Sequence, residues 1–177
     1  MSTDPVDEGL GVDPFDYRRV IGRFATGITV VTTCAAGVDH AMTVNSLTSV
    51  SLDPVLLLFC CEKVARFHEA VTAAGAWGVS VLGHDQARLA EWFATRGRPL
   101  EGQFDGVPHH RGLASHALLL SDAIATLECR TVAAYDGGDH TIVVGEVLEV
   151  ATPRPEAPPL LYYQGQYQRF EASSPYA

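Results

Sequence analysis

Lysine is almost missing from this chain. Lys63 is the only one in 177 residues, and the remaining basic side chains are arginines. Twelve cations face 21 acids, a formal charge of −9, which excludes a nucleic-acid backbone as partner because that affinity rests on many cation contacts. Cysteine is sparse as well. Cys34, Cys60, Cys61 and Cys129 form no CxxC pair and sit in apolar runs, so buried, reduced thiols are expected rather than disulfides or a metal site. The longest apolar run, Val55 to Cys61, is far too short to span a bilayer. The opening MSTDPVDEGL is acidic and polar, unlike a secretory or transit leader. A soluble cytoplasmic protein is expected, with no membrane partner.

Three catalytic signatures are also lacking. There is no GxGxxG turn, since Gly9-Leu10-Gly11 runs into Pro14 where the third glycine should stand, and no GxSxG or HExxH. Any dinucleotide is therefore handled without a Rossmann unit. His109, His110 and His116 have no carboxylate or thiol at ligand intervals, so no metal is expected. Internal repeats and low-complexity tracts are absent.

The length suits one domain with a substantial core. We expect a disordered arm over 1–12, a single domain over 13–171 and a tail over 172–177. Asp13-Pro14 reads as an N-cap and first helical residue, opening an amphipathic helix to about Ala25 through Tyr17, Val20, Ile21 and Phe24, which Gly27 ends. Ile28–Ala35 is β-branched and strand-like, with a turn at Ala36–Asp39. Val55–Cys61 reads as a strand buried on both faces. A helix to about Ala74, a strand over Trp77–Leu82 and a second helix opened by His84-Asp85, with Leu89, Trp92 and Phe93 on one apolar face, follow. Arg96–Arg111 is long and irregular, like a lid or substrate loop. Ala117–Leu120, Ala123–Tyr135, His140–Ala151, Leu160–Tyr163 and Gln166–Phe170 are strands, and Asp136–Asp139 is a hairpin turn. Many turn-linked antiparallel strands with two or three helices imply a mainly β protein, a closed or split barrel.

The most informative stretch is Ala41–Pro54, AMTVNSLTSVSLDP. Polar and apolar residues roughly alternate to Ser46, Asn45-Ser46 and Asp53-Pro54 are turn-prone, and a short second strand follows. Small hydroxyl and amide groups are unusually dense here, and they are costly to bury without partners. Either a polar ligand lies along this backbone, or the stretch is a Thr/Ser-rich edge strand facing water.

TVNSLTSVSLDP followed by Val55–Cys60 resembles the flavin-binding signature of the short-chain flavin reductases, the reductase partners in two-component flavin monooxygenases. The resemblance recurs in order at Phe24–Thr32, at Gly138–Val147 and at Pro159–Tyr163, and spans about Phe15 to Phe170. It implies a flavin-reductase-like, FMN-binding split barrel of Greek-key type, normally a homodimer. It implies hydride transfer from NADH, with NADPH less favoured, to FMN or FAD, and release of reduced flavin to a separate monooxygenase. The implied flavin contacts are Thr43, Val44, Asn45, Ser46 and Leu47 along the ring, with Ser46 and Ser51 as hydroxyl donors. Cys60, Cys61, Glu62 and Lys63 stand where the family places phosphate contacts. Val64-Ala65-Arg66-Phe67 replaces the family's serines and threonines, and Arg66 can compensate through a bidentate guanidinium contact. His140 is the implied nicotinamide-side catalytic residue, and Tyr163 and Tyr167 the implied pocket shapers. A different class fits the same residues: a non-catalytic flavin- or haem-binding split barrel, or a flavin-bound oxidase of a small organic substrate.

Overall fold

The computed structural model describes residues 11–170, so most of the expected arm and the expected tail lie outside the described residues; Gly11 and Val12 have no regular structure. The elements run α1 (Pro14–Ile21), β1 (Thr26–Gly27), β2 (Thr29–Ala35), β3 (Val38–Val44), β4 (Thr48–Leu52), β5 (Val55–Glu62), α2 (Arg66–Ala74), β6 (Ala76–Val81), α3 (Ala87–Ala94), β7 (His109–Arg111), β8 (Leu118–Leu120), β9 (Ala125–Gly137), β10 (His140–Ala151), β11 (Leu160–Tyr163) and β12 (Gln166–Arg169).

Seven strands form one sheet in the order β3-β2-β6-β9-β10-β5-β4, antiparallel at every pairing. Its two edges are β3 and β4, and only Asn45–Leu47 separate them in the chain. A flat sheet with six gaps of about 4.8 Å would hold those edges about 29 Å apart. Four virtual bonds of 3.8 Å, from Val44 to Thr48, reach at most about 15 Å. The sheet must therefore roll until its edges approach, which makes it a barrel split along one seam. Ser46 stitches that seam: its hydroxyl accepts from the Cys60 N–H at 2.9 Å and donates to the Cys60 carbonyl at 3.3 Å. β1, β11 and β12 form a small separate sheet and β7–β8 a hairpin ladder. The Asp53–Pro54 peptide between β4 and β5 is cis.

Two apolar clusters fill the interior. One gathers Phe59, Phe67, Val71, Trp77 and Val143, the other Leu82, Phe93, Phe104, Leu118, Leu120 and Leu160. Phe59 meets Trp77 edge-on at 4.8 Å between centroids. Gly145 permits this: a Cβ there would run into the Trp77 indole, with Cε2 at 3.1 Å and Cζ2 closer still.

Several elements differ from expectation for physical reasons. α1 is shorter, capped by the Asp13 carboxylate accepting from the Phe15 and Asp16 N–H groups and closed at Gly22 rather than Gly27, and none of its residues is buried. Its apolar stripe is largely exposed, from Ile21 at 47% to Phe15 at 75%. β5 is not buried on both faces but alternates, with Leu57, Phe59 and Cys61 inside and Leu56, Leu58 and Cys60 half-buried. It has only one strand, β4, between it and the seam. α3 starts after Gln86, not at His84-Asp85, and Trp92 is 36% exposed while Ala90 and Phe93 are buried. Within Arg96–Arg111, Arg98, Gln103 and Phe104 are buried and His109–Arg111 is a strand, so part of this segment is fastened to the barrel. All four cysteines are unpaired thiols; burial, with Glu62 and Cys60 nearby, pushes Cys61 up to about 12.

Gly145→Ala should lower stability by about 1–3 kcal/mol through overpacking against Trp77, read as a fall in thermal midpoint; an unchanged midpoint would refute the contact. Glu128 is 6% exposed and accepts from the Ala114 and Ser115 N–H groups and the Ser115 hydroxyl at 3.0, 2.6 and 2.7 Å. Burial alone would raise its carboxyl, but these hydrogen bonds outweigh it and hold the group below the usual glutamate range. The unfolded chain therefore binds the proton first as pH falls, and the stabilisation present above the unfolded pKa disappears as pH drops through the folded one. Glu128→Ala should cost about 1–3 kcal/mol at pH 7, and its difference from the parent should shrink in acid; a pH-independent difference would count against this account.

Candidate functional site

The seam opens into a cavity of about 610 Å³, lined by β3 and the link after it, the end of β5, the start of α2 and the turn following α3. That volume lies in the range of small-molecule and cofactor sites. Of the residues expected from sequence, Thr43, Val44, Asn45, Ser46, Cys60, Glu62, Arg66, Phe67 and His140 line it. Segments far apart in sequence converge here because β10 pairs with β5, placing His140 opposite Glu62.

The other expected residues lie elsewhere. Leu47 packs against the Phe59–Trp77 cluster, and Cys61 is buried within it. Ser51 is in β4, accepting from the Asp53 N–H at 3.2 Å. Lys63 donates to the Asp136 carboxylate and, at 2.6 Å, to the Gly138 carbonyl, fastening the β9–β10 hairpin. Tyr163 is half-buried in β11, and Tyr167 packs against Tyr162 with ring centres 5.5 Å apart and planes tilted by 57°, beside the second cluster.

Two hydroxyls that make the stretch look ligand-ready are engaged within the protein. Thr43 Oγ1 donates to the Ala90 carbonyl at 2.8 Å, tying β3 to α3, and Ser46 holds the seam. The polar groups of the stretch left at the cavity are Asn45 and backbone ones. The Asp39 and Ala41 carbonyls accept from Gln103 Nε2 and Arg98 Nη2 across the open edge of β3, and the Val44 carbonyl, on the opposite side, accepts from Thr29 Oγ1. The two-residue repeat of a strand then turns the Thr43 N–H and C=O to that open edge.

Charge is concentrated here against the sign of the whole chain. Arg66, Arg96 and Arg98 line the cavity with one carboxylate, Glu62. Arg96 Nη2 meets both Glu62 oxygens at 2.7 and 2.6 Å. Arg66 donates only to the Arg98 carbonyl, at 3.0 Å, among the described residues. Burial, with Arg66 beside it, pushes Arg98 down to about 10, still charged at neutral pH. Burial and Arg66 likewise lower His40, against the opposing pull of Asp39, so His40 is neutral there. His140 Nδ1 lies 2.7 Å from an Asp139 carboxylate oxygen.

Sequence reading missed His40, Met42 and Phe93–Thr95, and it named no individual residue of the Arg96–Leu100 part of the wall, which it had placed in a lid or substrate loop. The signal available for the wall was Arg96-Gly97-Arg98, two arginines in a chain poor in cations. An uncompensated guanidinium, outward backbone groups and an apolar floor of Met42, Val44 and Phe67 form a donor set that fits a planar heteroaromatic ring carrying a phosphate. Among the described residues no cluster suited to a metal ion is present.

Comparison with known proteins agrees with this geometry. An NADH-dependent FMN reductase, AsuE2, of Streptomyces nodosus subsp. asukaensis is 38% identical over 91% of this chain and 88% of its own. The reductase component of a 4-nitrophenol 4-monooxygenase/4-nitrocatechol 2-monooxygenase from Rhodococcus opacus is 36% identical over 96% and 89%. The structure of the Streptomyces globisporus C-1027 NADH:FAD oxidoreductase SgcE6, in complex with NAD and FAD fragments, superposes with a TM-score of 0.86 at 40% identity, covering 94% of this chain and all of that one. The barrel described above is thus the flavin reductase split barrel. The family model described as "Flavin reductase like domain" matches residues 21–171, and with these relatives it establishes that the chain belongs to the flavin reductase-like family.

Proposed function

We propose that this protein is an NADH-dependent flavin reductase, which passes a hydride from NADH to FMN or FAD and delivers the reduced flavin to a separate monooxygenase component. The observation that carries the reading is Arg66, a guanidinium without a carboxylate partner among the described residues, beside the open edge of β3 in one cavity. A bound flavin and nicotinamide supply the hydride acceptor and donor, neither atom belonging to the protein.

The protein's own task is to bind, orient and exclude. Arg66 presents a planar fork to the flavin phosphate. The Thr43 backbone and Asn45 meet the polar rim of the ring, while Met42, Val44 and Phe67 supply the apolar floor. His140, its Nδ1 engaged by Asp139, keeps Nε2 for the nicotinamide side. Holding donor and acceptor about 3–3.5 Å apart is the main catalytic demand. NADH is favoured over NADPH because Glu62 neutralises Arg96, leaving little positive charge for an added 2′-phosphate.

A homodimer is part of this reading. On α1 and just after it Phe15, Tyr17, Val20, Ile21 and Phe24 are 47–75% exposed, an apolar surface that a second copy would cover. No helix of the described residues is long and apolar enough to cross a membrane, and unpaired thiols suit the reducing cytoplasm.

NADH absorbance should decay only when FMN or FAD is added, with saturation in flavin; no decay with either would end the reductase reading. Arg66→Met should raise the flavin dissociation constant about tenfold or more, as for a lost charged hydrogen bond. His140→Ala should lower kcat/KM for NADH about tenfold with flavin affinity little changed, and equal loss of both would remove it from the nicotinamide side. Sedimentation should give twice the 19.0 kDa chain mass; a monomer at micromolar concentration would exclude the dimer.

A further inference from the structure

Arg98 is 8% exposed and Gln103 1%, in a segment with no regular structure between α3 and β7. A guanidinium has five N–H donors, and in Arg98 all five are engaged. Nε donates to Gln103 Oε1 at 3.2 Å, Nη1 to the Phe93 and Thr95 carbonyls at 2.9 and 3.4 Å, and Nη2 to Gln103 Oε1 at 3.0 Å and to the Ala41 carbonyl. Gln103 continues the chain of contacts: Nε2 donates to the Asp39 carbonyl at 2.8 Å, and its own carbonyl accepts from Trp92 Nε1 at 2.8 Å. The guanidinium also lies 5.1 Å from the centre of the Phe93 ring. Among the described residues Arg98 forms no ion pair with a carboxylate.

A buried arginine with every donor satisfied by carbonyl oxygens has none left for a phosphate. Its five bonds instead join three pieces: the C-terminal end of α3, the segment after it, and the open edge of β3. On that edge Asp39 and Ala41 supply successive outward carbonyls, and the next outward residue is Thr43. In effect the two side chains replace the missing neighbour strand over the first half of β3 and leave its Thr43 end open to the cavity.

We propose that Arg98, with Gln103, is a positioning residue that pins the open edge of β3 so that the Thr43 and Asn45 backbone meets the flavin ring in a fixed register. The proposal rests on the flavin reading above. It separates two arginines that sequence makes look alike: Arg66 touches the ligand, and Arg98 acts through the strand. Lysine can replace a charge but not a five-donor fork, so the two kinds of action are distinguishable.

The test compares Arg98→Lys, Arg98→Met, Gln103→Leu and Arg66→Met with the parent full-length protein. Amide hydrogen exchange over residues 39–45 is measured without flavin, and the dissociation constant is measured with FMN and with FAD. Arg98→Lys and Arg98→Met should both accelerate exchange in 39–45 and weaken flavin binding about tenfold, with kcat at saturating flavin within about threefold of the parent. Arg66→Met should weaken binding with exchange unchanged. Parental exchange and affinity in Arg98→Lys would overturn the proposal, since charge alone would then suffice. So would weaker binding in Arg98→Met without faster exchange, since Arg98 would then touch the ligand. Should Arg98→Met not fold, Gln103→Leu, which keeps the charge and loses the amide, carries the same expectation, and unchanged exchange there overturns it. If the parent binds neither flavin, the reductase reading fails, while the exchange measurement still decides whether the fork holds the strand.

Discussion

Three residues, Asn45 to Leu47, link the two edges of a seven-stranded sheet, and most of the molecule follows from that short tether. It forces the sheet to roll, it creates a seam that the ladder does not close, and it leaves the open edge of β3 as a wall of the 610 Å³ cavity. Ser46 repairs the seam on one side with two hydrogen bonds to Cys60. On the other side α3 and the segment after it cover β3 through the Thr43, Arg98 and Gln103 side chains. An unpaired strand edge is ordinarily an aggregation hazard; here half of it is masked by side chains and half faces the cavity.

Electrostatics act locally and against the average. The chain carries −9 overall, yet the cavity gathers three arginines against one glutamate. Net charge thus ruled out one class of partner without revealing the anion site. The arginines also differ in kind. Arg96 is neutralised by Glu62, Arg98 is saturated by carbonyls, and Arg66 keeps donors for a ligand with no carboxylate partner among the described residues. Exposure and partner identity, not charge, divide the work between them.

Much of the barrel was legible because strand signals are local: β-branched runs at Thr29–Ala35, the Asp136–Asp139 turn and alternation after Ala41 depend on neighbours in sequence. The candidate site was legible where it lies on such a strand, from Thr43 to Ser46, and where a motif ends on its paired strand, at Cys60, Glu62 and His140. It was not legible where packing decides. Thr43 and Ser46 carry the hydroxyls that attract attention, but their partners, Ala90 and Cys60, lie 47 and 14 residues away. Lys63 stands at the right strand end, and a hairpin more than 70 residues on takes its ammonium. Arg96–Arg111 read as a long, irregular lid or substrate loop, and the burial of Arg98, Gln103 and Phe104, which no periodicity announces, makes part of it a wall.

The pleat of β5 separates two adjacent cysteines. Cys60 lines the cavity, while Cys61 points into the core with its thiol pushed up to about 12. A thiol that does not ionise is a poor nucleophile and resists oxidation. Reduced flavin meeting oxygen generates peroxide, so a barrel that handles it keeps a chemically inert sulfur behind the wall. Oxidative damage at this strand would fall on Cys60, whose backbone N–H and carbonyl are the very groups that Ser46 uses to hold the seam.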